Sequence, residues 1–197
     1  MYEYIEGNLA EISPTHLVVE TTGLAYHIQI SLYSYSRFAE EDWAGKKVKV
    51  YLHHIVREDA QLLYGFYDRR ERQIFRQLIS VSGVGAGTAR MILSAHRPAE
   101  IEKAIMQADV NFLKNIKGIG IKSAQRIIVD LKGKIGKDAD AGEIFTAASN
   151  TRREEALSAL VTLGFPKVAA GKVIDSILTE NPEGNVEELI KLALKRL

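Results

Sequence analysis

Along the first third of the chain, apolar and polar positions alternate with a period of two. Tyr26, Ile28 and Ile30 alternate with His27 and Gln29, and Val48, Val50 and Leu52 with Lys47, Lys49 and Tyr51. This is the pattern of half-buried strands. Leu17-Val18-Val19 lies in a further β-rich run, and Ala60 to Tyr67 (AQLLYGFY) reads as another strand. Turn signals at Ser13-Pro14-Thr15, Thr22-Gly23 and Ala44-Gly45-Lys46 separate the runs. About four to six short strands in residues 1–67 predict a small barrel, OB-like by its size, with an SH3-like barrel as the alternative.

Beyond residue 67 the spacing becomes helical. Ile74, Leu78 and Val81, joined by Phe75 and Ile79, form one apolar helix face. Pro98-Ala99-Glu100 opens another helix with proline in its first turn, where the missing N–H has no intrahelical partner to lose. Asp109 to Ile116 and Ile121 to Leu131 read as two more. Residues 134–150 (KIGKDADAGEIFTAASN) lose periodicity and turn small and polar, as a flexible linker does. Residues 151–197 are helical again and predict a three-helix bundle. Thr151 with Glu154, and Asn185 with Glu188, have capping-box spacing, and Leu163-Gly164-Phe165-Pro166 breaks the first helix. On the last helix Val186, Leu189, Ile190, Ala193 and Leu197 share a face, while Leu192 and Leu194 fall outside it. Such surplus apolar residues either mark a partner site or pack on a neighbouring helix.

Composition removes several classes of chemistry. The 197 residues include no cysteine, which excludes disulfides, thiolate metal sites and thiol nucleophiles. The five histidines, His16, His27, His53, His54 and His96, have no metal-ligand spacing, and the adjacent pair would point to opposite faces of a strand. The N-terminal MYEYIEGNLAE carries acidic residues and no long apolar run, so no secretory signal is expected. No segment approaches the roughly 18 apolar residues of a membrane span, and a cytoplasmic location is expected. The net charge of +1 conceals a segregation: residues 1–70 hold 7 Lys/Arg against 10 Asp/Glu, residues 71–137 hold 12 against 5, and residues 138–197 hold 7 against 10. A basic middle third is the footprint of polyanion binding.

That basic third contains a repeat. The run Leu78-Ile-Ser-Val-Ser-Gly83-Val84-Gly85-Ala-Gly87-Thr88-Ala89-Arg90-Met-Ile92 recurs 35 residues later as Leu113-Lys-Asn-Ile-Lys-Gly118-Ile119-Gly120-Ile-Lys122-Ser123-Ala124-Gln-Arg126-Ile127. Each copy reads helix, tight turn, helix. Glycine permits a positive φ, and its bare backbone allows close approach. The unpaired amides at the start of the second helix, with its dipole, make an anion site. Arg90 adds charge near the first turn, and Lys122 and Arg126 near the second. The plain alternative is a pair of ordinary αα-hairpin turns. Gly83 to Gly87 also has the spacing of a dinucleotide fingerprint, but the segment before it is helical rather than a buried strand. Gly118-Ile-Gly-Ile-Lys-Ser lacks P-loop spacing.

The repeat resembles the helix-hairpin-helix family, which holds DNA phosphates by hairpin amides without reading bases. The predicted class is therefore an α+β multidomain chain: OB-like β-barrel (1–67), all-α tandem helix-hairpin-helix domain (68–133), linker (134–150) and three-helix bundle (151–197). Residues 56–66, Val-Arg-Glu-Asp-Ala-Gln-Leu-Leu-Tyr-Gly-Phe, together with the tandem hairpins and domain order, resemble the RuvA family of Holliday-junction-binding subunits over essentially the whole chain. The resemblance implies a homotetramer, octameric on DNA when two tetramers sandwich the junction, acting in branch migration during recombination and repair. It implies phosphate contacts at Gly83, Gly85, Gly87, Thr88, Arg90, Gly118, Gly120, Lys122, Ser123 and Arg126. Glu58 and Asp59 match an acidic pin at the junction centre, with Arg57 beside it; a solvated hairpin turn is their plain reading. The C-terminal domain is expected to bind a RuvB-like hexameric ATPase, with Leu192 and Leu194 as candidate contacts and a RuvC-like resolvase as a further partner. No cofactor is expected in this chain, ATP and Mg²⁺ belonging to the motor. Two departures stand out: Gly87 occupies a position where lysine often follows, and Ala25 a position where a second glycine is usual. A catalytic helix-hairpin-helix reading is disfavoured because Asp130 follows Gly120 by only ten residues within a helical run. A general DNA-binding scaffold is the third reading.

Overall fold

The computed structural model describes residues 2–135, 148–181 and 184–197. Contacts divide the chain into two units, Met1–Ala141 and Gly142–Leu197.

The first unit begins with five strands, β1 (Tyr4–Ser13), β2 (His16–Thr21), β3 (Leu24–Gln29), β4 (Lys47–Val56) and β5 (Gln61–Phe66). They close into a barrel in the order β1-β2-β3-β5-β4. β3 and β5 run parallel, and β4 closes the barrel by pairing antiparallel with β1. The period-two expectation holds: Val48, Val50 and Leu52 are buried, and Lys47 and Lys49 are exposed. With Ile5, Leu17, Val19, Ile28 and Ile30 they fill the interior. Thr21 pairs with Leu24, and Thr22 and Gly23 between them have φ of 51° and 83°, the two-residue turn whose twist suits a hairpin. Ala25, where a second glycine was the usual residue, sits exposed on β3 opposite Glu20, and the turn closes without it.

The strand reading of residues 1–67 needs one correction. A helix, α1 (Leu32–Ala39), lies between β3 and β4. Ser31 caps it by accepting from the Ser34 amide, and Phe38, 1% exposed, joins the barrel core. The serine- and tyrosine-rich segment has little helical preference of its own; burial of Phe38 supplies the reason for the helix.

Five helices follow: α2 (Arg69–Ile79), α3 (Ala86–Ala95), α4 (Pro98–Met106), α5 (Val110–Lys114) and α6 (Ile121–Leu131). Their shared core includes Ile74, Phe75, Leu78, Ile92, Ile101, Leu113, Ile127 and Leu131, and it continues into Tyr64 and Phe66 of β5. The barrel's last strand thus serves both cores. Ile135 is buried in the same cluster, with its amide donating to the Leu131 carbonyl at 2.9 Å. The helical domain therefore extends past residue 133, and Lys134 and Ile135 belong to it rather than to the expected linker. Residues 136–147 of that linker lie outside the described residues.

The second unit holds α7 (Ala148–Thr162), α8 (Lys167–Glu180) and α9 (Val186–Arg196). Ala156, Leu160, Ala170, Ile174, Ile177, Leu189 and Ala193 form its core. α7 starts three residues before Thr151, so Thr151 is not its cap. The Asn185–Glu188 capping box is present, at 2.9 and 3.3 Å. Gly164, with φ 99°, turns the chain between α7 and α8.

Candidate nucleic-acid interface

The two glycine turns are built alike, as their sequences predict. Gly83 and Gly118 have φ of 89° and 85°, the left-handed region where a side chain is strained. Val84 and Ile119 follow, 6% and 5% exposed, and anchor each turn in the helical core. Their amides donate to the Val81 and Ile116 carbonyls, both at 3.0 Å. Gly85 and Gly120 then cap α3 and α6 with φ, ψ of −84°, 168° and −82°, 167°. The Ala89 and Ala124 amides close the first helical turns on their carbonyls, both at 2.9 Å.

Neither cap has a side chain to offer. At α1, α2, α5 and α9 an oxygen of Ser31, Asp68, Asp109 or Asn185 accepts from a first-turn amide. At α3 and α6 no such bond exists, so no cap side chain takes up the first-turn amides, which stand at the positive end of the helix dipole. A Cβ built on Gly85, Gly87 or Gly120 meets nothing within 4 Å. The backbone of Gly85 and Gly120 is extended, open to any residue. Nothing inside the chain requires glycine there.

The charged residues divide unequally between the turns. Lys122 and Arg126 are exposed at the second turn, Arg126 lying 3.9 Å from Asp130 one helical turn on. Lys117, exposed just before Gly118, adds a cation that the sequence reading did not single out; its place against the turn glycine was the available signal. Thr88 and Ser123 are half-buried. At the first turn Gly87 leaves Lys122's counterpart vacant, and Arg90 turns elsewhere: its Nη1 donates to Gln29 Oε1 at 3.0 Å and the Thr15 carbonyl at 3.5 Å, both in the barrel. The charge that the sequence places near the first turn is thus hydrogen-bonded to the barrel.

Glu58 and Asp59 sit exposed at the tip of the β4–β5 hairpin. The Arg57 amide donates to the Ala60 carbonyl at 2.8 Å, closing a four-residue turn beyond the Val56–Gln61 pair. On the same hairpin Ile55 and Leu62 pack against the helical core. That contact holds the acidic tip in a set position relative to the glycine turns.

A buried polar joint fixes the barrel to the helices as well. Glu71 of α2, 0% exposed, accepts from the Ser31 and Ser34 hydroxyls, both at 2.5 Å, and from the Tyr67 amide at 3.2 Å. Burial raises its pKa to about 7. Arg72 donates to the Glu3 carbonyl at 2.7 Å and to the Glu3 carboxylate. Sequence patterning had no means of pairing residues this far apart.

The histidines take structural places. His53 packs edge-on to Phe75 beside Arg76, and burial, then that guanidinium, lowers its pKa. His16 stacks on His27 and bonds Glu11 at 3.1 Å, and His96 lies against Phe112. Among the described residues no three His, Asp or Glu side chains are grouped to hold a metal. No helix there is long and apolar enough to cross a membrane.

On the C-terminal bundle, Leu192 is half-buried and packs against its own core, the second of the two readings open for it from sequence. Leu194 is 44% exposed. Larger exposed apolar surface lies at the α7–α8 corner, where Val161, Leu163 and Val168 are 41%, 60% and 73% exposed.

The comparisons with known proteins follow this division. Residues 1–65 match the family model described as the RuvA N terminal domain, residues 75–133 the SAM-like helix-hairpin-helix tandem, and residues 151–197 the RuvA C-terminal domain. A protein of Christiangramia forsetii named Holliday junction branch migration complex subunit RuvA is 49% identical over 197 residues, spanning 100% of both chains. The chain belongs to the RuvA family. RuvA relatives bearing the same name from Bacteroides thetaiotaomicron and Flavobacterium psychrophilum are 49% and 45% identical, again over 100% of each chain.

Proposed function

We propose that this chain binds four-way DNA junctions by their structure and tethers a hexameric ATPase that drives branch migration in recombination and repair. The carrying observation is the pair of helix starts at Gly85 and Gly120, which lack a side-chain cap and have open space where a side chain would stand. A phosphate oxygen suits that space: it accepts from the first-turn amides and is stabilised by the helix dipole. Such contacts position the duplex arms without reading bases, so the DNA can advance without a sequence penalty. Lys117, Lys122 and Arg126 strengthen the second grip by charge. Glu58 and Asp59, held in register with the turns by Ile55 and Leu62, repel phosphates at the crossover and keep exchanging strands apart.

A fourfold assembly would present four such surfaces to four arms, and a second tetramer would cover the opposite face. The exposed corner of Val161, Leu163 and Val168 suits an apolar surface of the motor, which would itself consume ATP with Mg²⁺. The test is binding to a synthetic four-way junction and to a linear duplex of equal length across a salt series. Junction preference, with affinity falling linearly on a log–log salt plot, is the expected result. Equal affinity for both would leave a general DNA-binding scaffold.

A further inference from the structure

We propose that Arg90 is a positioning residue, clamping the first hairpin to the barrel instead of holding phosphate; this rests on the junction-binding reading above. The clamp has two points on one face of α3. Arg90 Nη1 donates to the Gln29 side chain at 3.0 Å and the Thr15 carbonyl at 3.5 Å. One turn on, Ser94 Oγ accepts from the Leu32 amide at 3.0 Å and donates to the Arg90 carbonyl at 2.8 Å. Three barrel segments are engaged: the β1–β2 turn, the end of β3 and the start of α1. The Thr15 carbonyl also accepts from the Ile30 amide at 3.1 Å, so Arg90 joins a point where the barrel is already tied together.

The two hairpins differ in the way this requires. Arg90's counterpart in the second repeat is Gln125, which is exposed, and the second turn has Lys122 as a free cation. The first turn has Gly87 at that place and no charged side chain of its own. A grip made of amides alone depends on direction, since hydrogen bonds weaken steeply once bent, while a flexible lysine finds its phosphate from many orientations. The hairpin without lysine is the one whose helix is bolted to the barrel, and the barrel bears the Glu58–Asp59 tip. The clamp therefore sets the spacing between first hairpin and tip that a junction must match. A linear duplex has no crossover and needs no such match.

The test compares Arg90→Met and Gln29→Met, which keep side-chain bulk, with the double variant and with Gln29→Glu, which keeps an acceptor for Arg90. Each is titrated by fluorescence anisotropy with a four-way junction and an equal-length duplex over a salt series. Either Met variant should lower junction-over-duplex preference about fivefold, the scale of one hydrogen bond's net worth. Duplex affinity and salt slope should hold, the double variant should lose no more than a single one, and Gln29→Glu should behave as the unaltered chain. A drop of about one in salt slope for Arg90→Met, with junction and duplex weakened together and Gln29→Met silent, would make Arg90 a phosphate ligand and overturn the proposal. Unchanged preference in both Met variants would overturn it too. Equal affinity of the unaltered chain for junction and duplex would instead remove the junction-binding reading beneath it.

Discussion

Replacing Gly120 with serine should strengthen the fold while weakening DNA binding. Gly120 caps α6 with φ −82° and ψ 167°, and an added Cβ meets nothing within 4 Å, so serine enters without strain. Its Oγ would accept from a first-turn amide, as Ser31 does from Ser34 N at 3.0 Å at the start of α1. Serine exceeds glycine as a cap by a few tenths of a kcal/mol. Restricting the unfolded chain adds about 0.4–1 kcal/mol. The sum, about 1 kcal/mol, should raise the melting temperature of the first unit by about 4 °C. The same Oγ takes an amide from the phosphate and stands in its place. A hydrogen bond to a charged group contributes about 1.5–3 kcal/mol, so junction affinity should fall about 10- to 100-fold. Thermal unfolding without DNA and anisotropy titration with a junction read the two effects separately. If melting and affinity both fell, the fold itself would require glycine. If melting rose and affinity held, the amides would not be the phosphate site. Either result refutes the reasoning.

Lys122→Ala should weaken junction and duplex alike and reduce the log–log salt slope by about one, as loss of one phosphate contact does. Neutralising the tip with Glu58→Gln and Asp59→Asn should leave melting unchanged, since both are exposed, and tighten DNA binding at low salt while reducing the fluorescence of 2-aminopurine at the crossover. Glu71, raised from 4.5 to about 7, keeps a proton in the folded chain that the unfolded chain has released, so stability should fall as pH rises from about 4.5 through 7. The total is roughly 3 kcal/mol, and denaturant titrations of Glu71→Gln should show this slope removed. Leu163→Asp should abolish association with the ATPase and spare the bundle, whereas Leu192→Asp should melt α9, as circular dichroism and co-sedimentation would show.

What the sequence determined by itself was local. The alternation of Val48, Val50 and Leu52, the helix of Ile121–Leu131, proline at the start of α4 and the Asn185 cap all depend on spacing within one element, and all are found as expected. The paired turns were legible for the same reason: a glycine forced to positive φ, a buried apolar anchor and a cap glycine lie within three residues. Tertiary structure decided whatever depends on surfaces meeting from distant parts of the chain. It made α1 a helix because Phe38 had a barrel to fill, and gave Ile135 to the helical core. It packed Leu192 part-way against the bundle core. It set Glu71 against two serines about 40 residues away and aimed Arg90 at Gln29 instead of at its own hairpin. A side chain's type and spacing state what it can bond; only the packed chain brings one partner within 3 Å and leaves the others in water.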